Sequence, residues 1–563
     1  MKKIIILLFI SQILNAQKST IYGTAFNGGI TDKGLIFKID SDGSNFTKII
    51  ELNSSTGTNP TGNLILSSDG FIYGSCFGGG LFNRGTIFKI NTIDFQFTKI
   101  LDLNSTIGGA AIGGLIEASD GNLYLKTSFG GLNNYGTLLK VSKNGLATKL
   151  QDMDIFSTGI NSYGSLIEST TDGFLYGVAQ NGGTVAGGTM YRINKSGSQF
   201  DKLIDFSSNN TGSLPNGYMV LLNNTIFGMC QSGGLNSYGT IFKYNITDNQ
   251  INKIKDLNII PDGGTPISGF NQGSDGELYG LTQIGGTGFG GTAFKFNPNT
   301  NNFAVLKNFS TTDSMTLYNR FVEGSDSKLY SFTLYNTGQM KSKFFRIDKD
   351  GSNYQLLKTF QTIDGYNLST NPLIIPSPVI NTYNPTFASL GAKLTIVGNN
   401  LNYLQRIDIN NVTASQFQII SNQMIVVTIP SATFTGIISL TTAGGSFSTS
   451  TIGNNNNSGN TSSGNNTNSG NNTNSGNNTN TTTGLSTIEI NEIDLYPNPN
   501  SGTFNIKLVD MNCISSNLFL FDSFGNTINA EISLNNNIVT VRGLNKGIYL
   551  IIYKFKRIKV LVE

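Results

Sequence analysis

Three glutamates are the side chains in this sequence best suited to acid-base chemistry. Glu117, Glu168 and Glu323 each end a short apolar run, where a carboxylate could hold a cation or a sugar, or act as a general acid or base. They recur at equivalent positions of a repeat, however, as structural residues would. The chain contains no histidine, the commonest general base and the commonest zinc ligand. Carboxylates are therefore the remaining acid-base candidates, and their recurrence favours a structural role.

The three cysteines are too few for a disulfide framework or a four-cysteine zinc site. Cys76 and Cys230 each lie three residues after a repeated aromatic residue, where other copies of the repeat have Ala or Thr. That position therefore requires a small side chain on a packed strand. The two cysteines lie three repeats apart, which should exceed the roughly 7 Å Cα separation of a disulfide. We predict no catalytic residue, no metal site and no cofactor.

Composition excludes several classes of partner. The net charge is +3 over 563 residues, which is no electrostatic signature for nucleic acid. No stretch reaches about 18 uninterrupted apolar residues, so we expect no membrane-spanning segment. The Gly-x-Gly strings fall in loops between strands and open no helix, so they predict no phosphate-binding loop. The 67 glycines indicate many turns rather than many helices.

A repeat of 51 or 52 residues fills most of the chain. Each copy has an aromatic anchor residue, and in most copies a Gly pair and then Gly-Thr before an apolar strand follow it. The anchors are Tyr22, Tyr73, Tyr124, Tyr176, Phe227, Tyr279 and Tyr330. Each copy is predicted to form four short strands joined by tight turns. Seven such copies predict an all-β fold in which residues 17–375 form a seven-bladed β-propeller.

The first copy lacks a first strand, because it begins close to its anchor residue, Tyr22. After the last copy, residues 373–375 have a sequence similar to the segment that precedes the second copy. We therefore predict that residues 373–375 supply the missing strand of the first blade and tie the two ends of the ring together. Deletion of residues 371–375 should then markedly lower the midpoint of thermal unfolding.

The loop between the Gly pair and Gly-Thr varies while the rest of the repeat does not. It joins the second and third strands, so it lies on the same face as the connections between blades. Aromatic, amide and cationic groups around one face could stack on and hydrogen-bond a glycan or a peptide; alternatively, they are ordinary exposed loop residues. The candidate ligand contacts are Lys33, Phe82, Arg84, Tyr135, Tyr238 and Phe289.

The two ends of the chain contain export signals. Residues 1–16 have a basic start and a short apolar stretch, which predicts a secretory signal peptide cleaved between Ala16 and Gln17. Residues 451–487 are rich in Asn, Thr, Ser and Gly and have almost nothing apolar to bury, so we predict a flexible linker. Residues 488–563 alternate apolar and polar residues in short runs, which predicts a small C-terminal β-sandwich.

That C-terminal segment resembles the type A sorting domain of the type IX secretion system. The residues that carry the resemblance include Tyr496, Pro497, Asn498 and Pro499 near its start, and Gly547 and Tyr549 before a basic closing strand. The resemblance implies export across the outer membrane by the type IX machinery. It also implies removal of the domain by a sortase-like protease, with the mature protein released or attached at the cell surface.

Two further resemblances concern architecture. The Tyr-Gly, Gly-Gly and Gly-Thr-(Ile/Leu)-Phe-Lys-Ile pattern resembles the Gloeo/Verruco tandem repeat of bacterial extracellular proteins, which implies no particular activity. Residues 376–450, with Pro378-Val379-Ile380 and Leu394–Leu401, resemble an IPT/TIG domain, an immunoglobulin-like sandwich that serves as a spacer or adhesion module.

Together these features predict a secreted or cell-surface binding or adhesion protein rather than an enzyme. Its propeller would be a recognition platform for an extracellular glycan or protein that the sequence does not identify. Two alternatives stay open at this point: a secreted carbohydrate-active hydrolase or lyase that uses carboxylates, and a structural component of the cell surface.

Overall fold

The computed structural model describes residues 19–161, 163–311, 317–334, 341–368, 370–384, 390–430 and 438–449, together with strands between 493 and 562. By internal contacts the chain divides into two compact units. One comprises residues 1–379, 400–406 and 440–447, and the other comprises residues 380–399, 407–439 and 448–563. The predicted signal peptide, with Ala16 and Gln17, and the predicted linker at 451–487 lie outside the described residues.

The first unit contains seven β-sheets in chain order, here called blades 1 to 7. The strands of blade 1 are Leu373–Pro376, Ser19–Ala25, Leu35–Asp40 and Thr47–Glu51. Those of blade 2 are Thr58–Pro60, Ile65–Leu66, Phe71–Gly78, Thr86–Asn91 and Phe97–Asp102. Those of blade 3 are Gly109–Ala111, Ile116–Glu117, Leu123–Phe129, Thr137–Val141 and Ala147–Asp152. Those of blade 4 are Ile167–Glu168, Leu175–Ala179, Thr189–Ile193 and Phe200–Asp205.

Blades 5 to 7 repeat this order from the innermost strand outward. Blade 5 consists of Ser213–Leu222, Thr225–Ser232, Thr240–Asn245 and Gln250–Asp256. Blade 6 consists of Asn271–Gln272, Leu278–Leu281, Phe289–Phe296 and Phe303–Ser310. Blade 7 consists of Val322–Glu323, Leu329–Phe332, Lys343–Ile347 and Gln355–Thr359, and the short 3-10 helix Thr362–Asp364 follows it. Every blade is antiparallel between sequence neighbours, as a meander with short turns requires.

Apolar clusters lie between consecutive blades all the way around the ring. Most side chains of the second and third strands are buried, because a neighbouring blade covers each face of the sheet. The cluster between blades 7 and 1 closes the ring, where the Phe37 ring lies 5.6 Å from that of Phe332 and 5.1 Å from that of Phe360. The predicted seven-bladed propeller is therefore confirmed.

The closing strand of the ring is the segment predicted for that role. Leu373–Pro376 pairs antiparallel with the start of the chain, so that Tyr22 faces Leu373 and Ser19 faces Pro376. Ile374 packs in the cluster between blades 7 and 1, and Ile375 in the cluster between blades 1 and 2. Blade 1 is thus built from both ends of the repeat region.

Further sheets follow the ring in the chain. After the ring come two four-stranded sheets formed by Val379–Asn384, Lys393–Asn399, Leu404–Ile409, Val412–Thr413, Phe417–Ser421, Met424–Thr428, Ile438–Thr442 and Gly445–Ser448. The C-terminal strands are Ile493–Tyr496, Phe504–Leu508, Leu518–Asp522, Glu531–Asn535, Ile538–Arg542, Gly547–Tyr553 and Lys556–Val562, in a four-stranded and a three-stranded sheet. In the described part of the chain, no helix has the length and apolar character needed to cross a bilayer.

Candidate ligand-binding cavity on the propeller axis

The innermost strands bring one residue from each blade to the axis of the ring. Each of these lies two residues before the residue that pairs with the anchor aromatic, for example Ile65 with Tyr73 and Val322 with Tyr330. We call this set the axial row: Asn63, Gly114, Ser165, Tyr218, Gly269, Arg320 and Asn371. Five residue types occupy these seven positions, whereas the anchors are six Tyr and one Phe.

Tyr218 is the largest side chain of the axial row that lines the cavity on the axis. Its hydroxyl accepts a hydrogen bond from Asn63 Nδ2 in blade 2. Gly114 leaves room for this crossing, since a Cβ at that position would lie 2.8 Å from the Tyr218 hydroxyl oxygen. Arg320 packs on the Tyr218 ring, with its guanidinium carbon 4.5 Å from the ring centre. Tyr218 and Arg320 therefore occupy the channel.

A cavity of about 490 Å³ lies on the axis beside this pair. Its walls are formed by the residues two positions before the axial row, which we call the rim row: Thr61, Ile112, Tyr163, Asn216, Ile267 and Tyr318. The ends of four second strands complete it with Phe26, Gln180, Gln231 and Leu334. These segments lie toward the face that bears the Gly-Gly loops, so the cavity lies on the face that the sequence predicted for binding.

Amides and aromatic rings dominate the cavity. Gln180 Nε2 donates to Gln231 Oε1 at 2.7 Å, which leaves both amides with further donors and acceptors. Tyr163 and Tyr318 are 48% and 45% exposed, so their ring faces are available to a ligand. Among the described lining residues there is no carboxylate and no ammonium group. The described lining can thus stack on a ring and hydrogen-bond hydroxyl groups.

The six loop residues predicted as ligand contacts lie around this face, outside the cavity lining. Phe82, Tyr135 and Phe289 are 52%, 37% and 61% exposed. The other three have a backbone role, because their carbonyls accept hydrogen bonds from the start of the next blade: Lys33 from Asn59, Arg84 from Ala110 and Tyr238 from Thr265. Whether the six side chains bind a ligand stays a prediction.

The axial and rim rows were not among the residues predicted from the sequence. They vary between blades and lie outside both the conserved part of the repeat and the variable Gly-Gly loops. A comparison of the copies at the position nine to eleven residues before each anchor aromatic identifies Tyr218 and Arg320 as the unusual members.

The three glutamates named first lie on the opposite face and join neighbouring blades. Glu117 accepts hydrogen bonds from the Ser68 amide at 2.7 Å and from Ser67 Oγ at 2.8 Å, and pairs with Lys143 at 2.5 Å. Glu168 and Glu323 hold the corresponding Ser119 and Ser274 in the same way, with Lys195 and Lys349 as their cations. These carboxylates bind the Ser-Asp-Gly turn of one blade to the next blade, which supports a structural role for the three glutamates.

The Glu117 interaction has a testable pH dependence. Burial alone would raise the pKa of Glu117, but hydrogen bonds from Lys143, Ser68 and Ser67 lower it to about 2. The stabilisation is therefore complete above the unfolded-state pKa of about 4.3 and is lost as pH falls toward 2. We expect Glu117→Gln to cost about 1 kcal/mol at pH 7, since the site is partly solvated. The thermal midpoints of the two proteins should converge as pH falls. An equal difference in midpoint at pH 7 and pH 2.5 would contradict a stabilising role of the ionised Glu117.

The predicted cysteine and sorting-domain residues lie outside the cavity. Cys76 and Cys230 are buried and form no disulfide. They lie on the strands Phe71–Gly78 of blade 2 and Thr225–Ser232 of blade 5, and burial raises the pKa of the Cys76 thiol to about 12. Small, inert core residues are what the repeat position predicted. In the C-terminal segment, Tyr496 ends one strand, and Gly547 and Tyr549 lie in another. Pro497, Asn498 and Pro499 lie outside the described residues.

Comparison with known families gives two matches in the sequence. The profile of the Gloeobacter/Verrucomicrobia repeat matches residues 10–171 and 168–377. The profile of the secretion system C-terminal sorting domain matches residues 494–561. The sorting domain confirms the predicted export to the cell surface or the medium and indicates the secretion machinery as a partner. No curated protein matches the chain in sequence.

Solved structures resemble the chain only distantly. The periplasmic gluconolactonase of Pseudomonas aeruginosa is 13% identical, with a TM-score of 0.43, and the match covers 63% of this chain and 99% of that one. A protein from Lactobacillus plantarum is 15% identical, with a TM-score of 0.44, and the match covers 63% and 99%. Neither likeness bears on the activity of this chain.

Proposed function

This chain belongs to the Gloeobacter/Verrucomicrobia repeat family, and from that premise we propose that it is an exported glycan-binding protein whose propeller takes its ligand in the axial cavity. The observation that carries the proposal is the lining of the cavity. Aromatic rings such as Tyr163 and Tyr318 match the apolar faces of sugar rings, and amides such as Gln180 and Asn216 match hydroxyl groups.

The remaining parts of the chain fit a binding role outside the cell. The sorting domain provides export, and a sortase-like protease would remove it afterwards. Residues 376–450 would act as an IPT/TIG spacer, and the polar segment at 451–487 would give the ring reach. The protein would then act as an adhesin or a glycan receptor at the cell surface.

A ligand site in the cavity and a ligand site in the loops predict different effects of substitutions on binding. In the variant Tyr163→Ala with Tyr318→Ala, we expect at least tenfold weaker binding of glycans selected on an oligosaccharide array. Two aromatic contacts contribute about 1–3 kcal/mol together, and tenfold corresponds to about 1.4 kcal/mol. Isothermal titration calorimetry of the full chain measures the change. Because both rings are about half exposed, the fold should tolerate their loss.

The matched control replaces three of the predicted loop contacts, Arg84, Tyr135 and Tyr238, by alanine. This variant should bind within about twofold of the unchanged protein if the cavity is the site. Loss of binding in the loop variant alone would move the site to the loops. Absence of binding to any glycan would overturn the proposal, and release of cleaved products would favour a hydrolase or lyase instead.

A further inference from the structure

Arg320 is the one charged member of the axial row. The other six members are neutral: Asn63, Gly114, Ser165, Tyr218, Gly269 and Asn371. A single blade therefore contributes a cation to the centre of the ring. No repeat constraint explains it, since six other blades close around the same axis without one.

The environment of Arg320 contains no counter-charge in the described part of the chain. Arg320 is half-buried; its guanidinium lies on the Tyr218 ring, and its Nε is buried with no hydrogen-bond acceptor among the described residues. Enclosure lowers the pKa of Arg320, and Tyr218 is the group that opposes this shift. A buried guanidinium N–H without an acceptor costs stability, because its lost hydration is not replaced. Such a cost is typical of a group kept for binding.

A second unpartnered donor lies next to Arg320. Asn371 is 6% exposed and lines the cavity, and its Nδ2 has no acceptor among the described residues. Its other amide atom is occupied, since Oδ1 accepts the Arg320 backbone N–H at 2.8 Å. This hydrogen bond fixes the orientation of the Asn371 amide, so that its Nδ2 lies on the opposite side of the amide from the Arg320 backbone. Asn371 lines the cavity and its unsatisfied group is a donor, so a ligand in the cavity would supply the missing acceptor.

We propose that the axial cavity binds the carboxylate of an acidic saccharide, such as a uronic-acid unit at the end of a glycan chain. Asn371 Nδ2 donates to the carboxylate, and Arg320 supplies the positive potential from behind Tyr218 and Asn371. Arg320 does not itself line the cavity, so it acts on the ligand through its electrostatic field rather than by direct contact. The inference rests on the proposed glycan-binding function and adds the charge of the ligand.

The choice of a chain end follows from the blocked channel. Tyr218 reaches from blade 5 to Asn63 of blade 2, and Arg320 stacks on it, so a polysaccharide does not thread through the ring. A terminal sugar can enter the cavity while the rest of the chain lies across the loop-bearing face.

The test is calorimetric titration of the full chain with oligomers of galacturonate, glucuronate and mannuronate, each beside its carboxyl-reduced neutral counterpart. We expect an acidic oligomer to bind at least tenfold more tightly than its neutral counterpart at low salt, with a smaller ratio at high salt. Equal binding of both forms would overturn the charge inference and leave glycan binding intact. Binding of neither form, or binding of an acidic peptide instead, would overturn both.

Two variants separate binding from folding. Arg320→Met should abolish the preference for the acid while the thermal midpoint stays the same or rises, because a buried guanidinium N–H without an acceptor is removed. Asn371→Asp keeps the acceptor for the Arg320 amide but places a negative charge beside the guanidinium. It should raise the midpoint and weaken binding of the acid at least tenfold. A lower midpoint with unchanged preference in both variants would show that the two residues serve the fold alone.

Discussion

Deletion of residues 371–375 is expected to lower the midpoint of thermal unfolding of the ring by about 10 °C or more. The deletion removes the pairing between Leu373–Pro376 and the strand Ser19–Ala25. It also removes Ile374 and Ile375 from the clusters on either side of blade 1. Burial of one such side chain contributes about 1.5–3 kcal/mol, and each ladder hydrogen bond about 1 kcal/mol. The loss is therefore roughly 5 kcal/mol, at about 2–4 °C per kcal/mol for a large domain.

A matched control removes five residues from the Asn-rich linker, at 466–470, and should leave the midpoint of the ring unchanged. The substitution Ile375→Asp tests the same closure without shortening the chain, because it places a charge at a position that is 6% exposed. Calorimetry of all three variants decides the point. An unchanged midpoint after deletion of 371–375 would refute a closing role for this strand.

The second large effect is expected at Gly57, which precedes the first strand of blade 2. Its φ of 119° lies in a region that disfavours other residues, and a Cβ there would lie 2.3 Å from Thr86 Oγ1 and 2.7 Å from Cys76 Sγ. Thr86 and Cys76 are fully buried, and the Thr86 hydroxyl donates to the Thr56 carbonyl at 2.9 Å. Gly57→Ala combines a strained backbone with overpacking, so we expect a loss of about 3 kcal/mol.

Gly70 provides the control within the same blade. Its φ is also positive, at 82°, but nothing lies within 4 Å of a Cβ built there. Gly70→Ala should therefore cost only the backbone term, about 1 kcal/mol. Denaturant unfolding of the two variants compares them directly. Equal losses would mean that packing against Thr86 plays no part at Gly57.

The Gly57 arrangement also explains the Gly-Thr pattern of the repeat. A glycine at this position recurs at Gly108, Gly159, Gly212 and Gly263, and in each case a Cβ would meet a threonine hydroxyl within 2.6 Å. The threonine that follows the repeated glycine, such as Thr240, donates to the connection between blades at 2.7 Å. The Gly-Thr pair is evident in the sequence but its partner glycine is not, because the two lie about 30 residues apart.

Much of the fold could be predicted because its determinants are local and repeated. The period of 51 or 52 residues, the alternation of apolar residues and the turn glycines each indicate the same four strands in every copy. The closing strand was also predictable, since residues 373–375 keep the pattern of a first strand that the first copy lacks. The sorting domain was recognisable from short motifs at the C-terminus.

The ring, its closure and its export could thus be predicted from the sequence, because packing imposes the same requirement in every blade and the sequence pattern is therefore periodic. The axial cavity became visible only in the folded ring. Tyr218, Arg320 and Asn371 lie more than 50 residues apart from one another and share no pattern. They come together because closure of the seven blades brings one variable position from each blade to a common axis. No local sequence pattern predicts this contact.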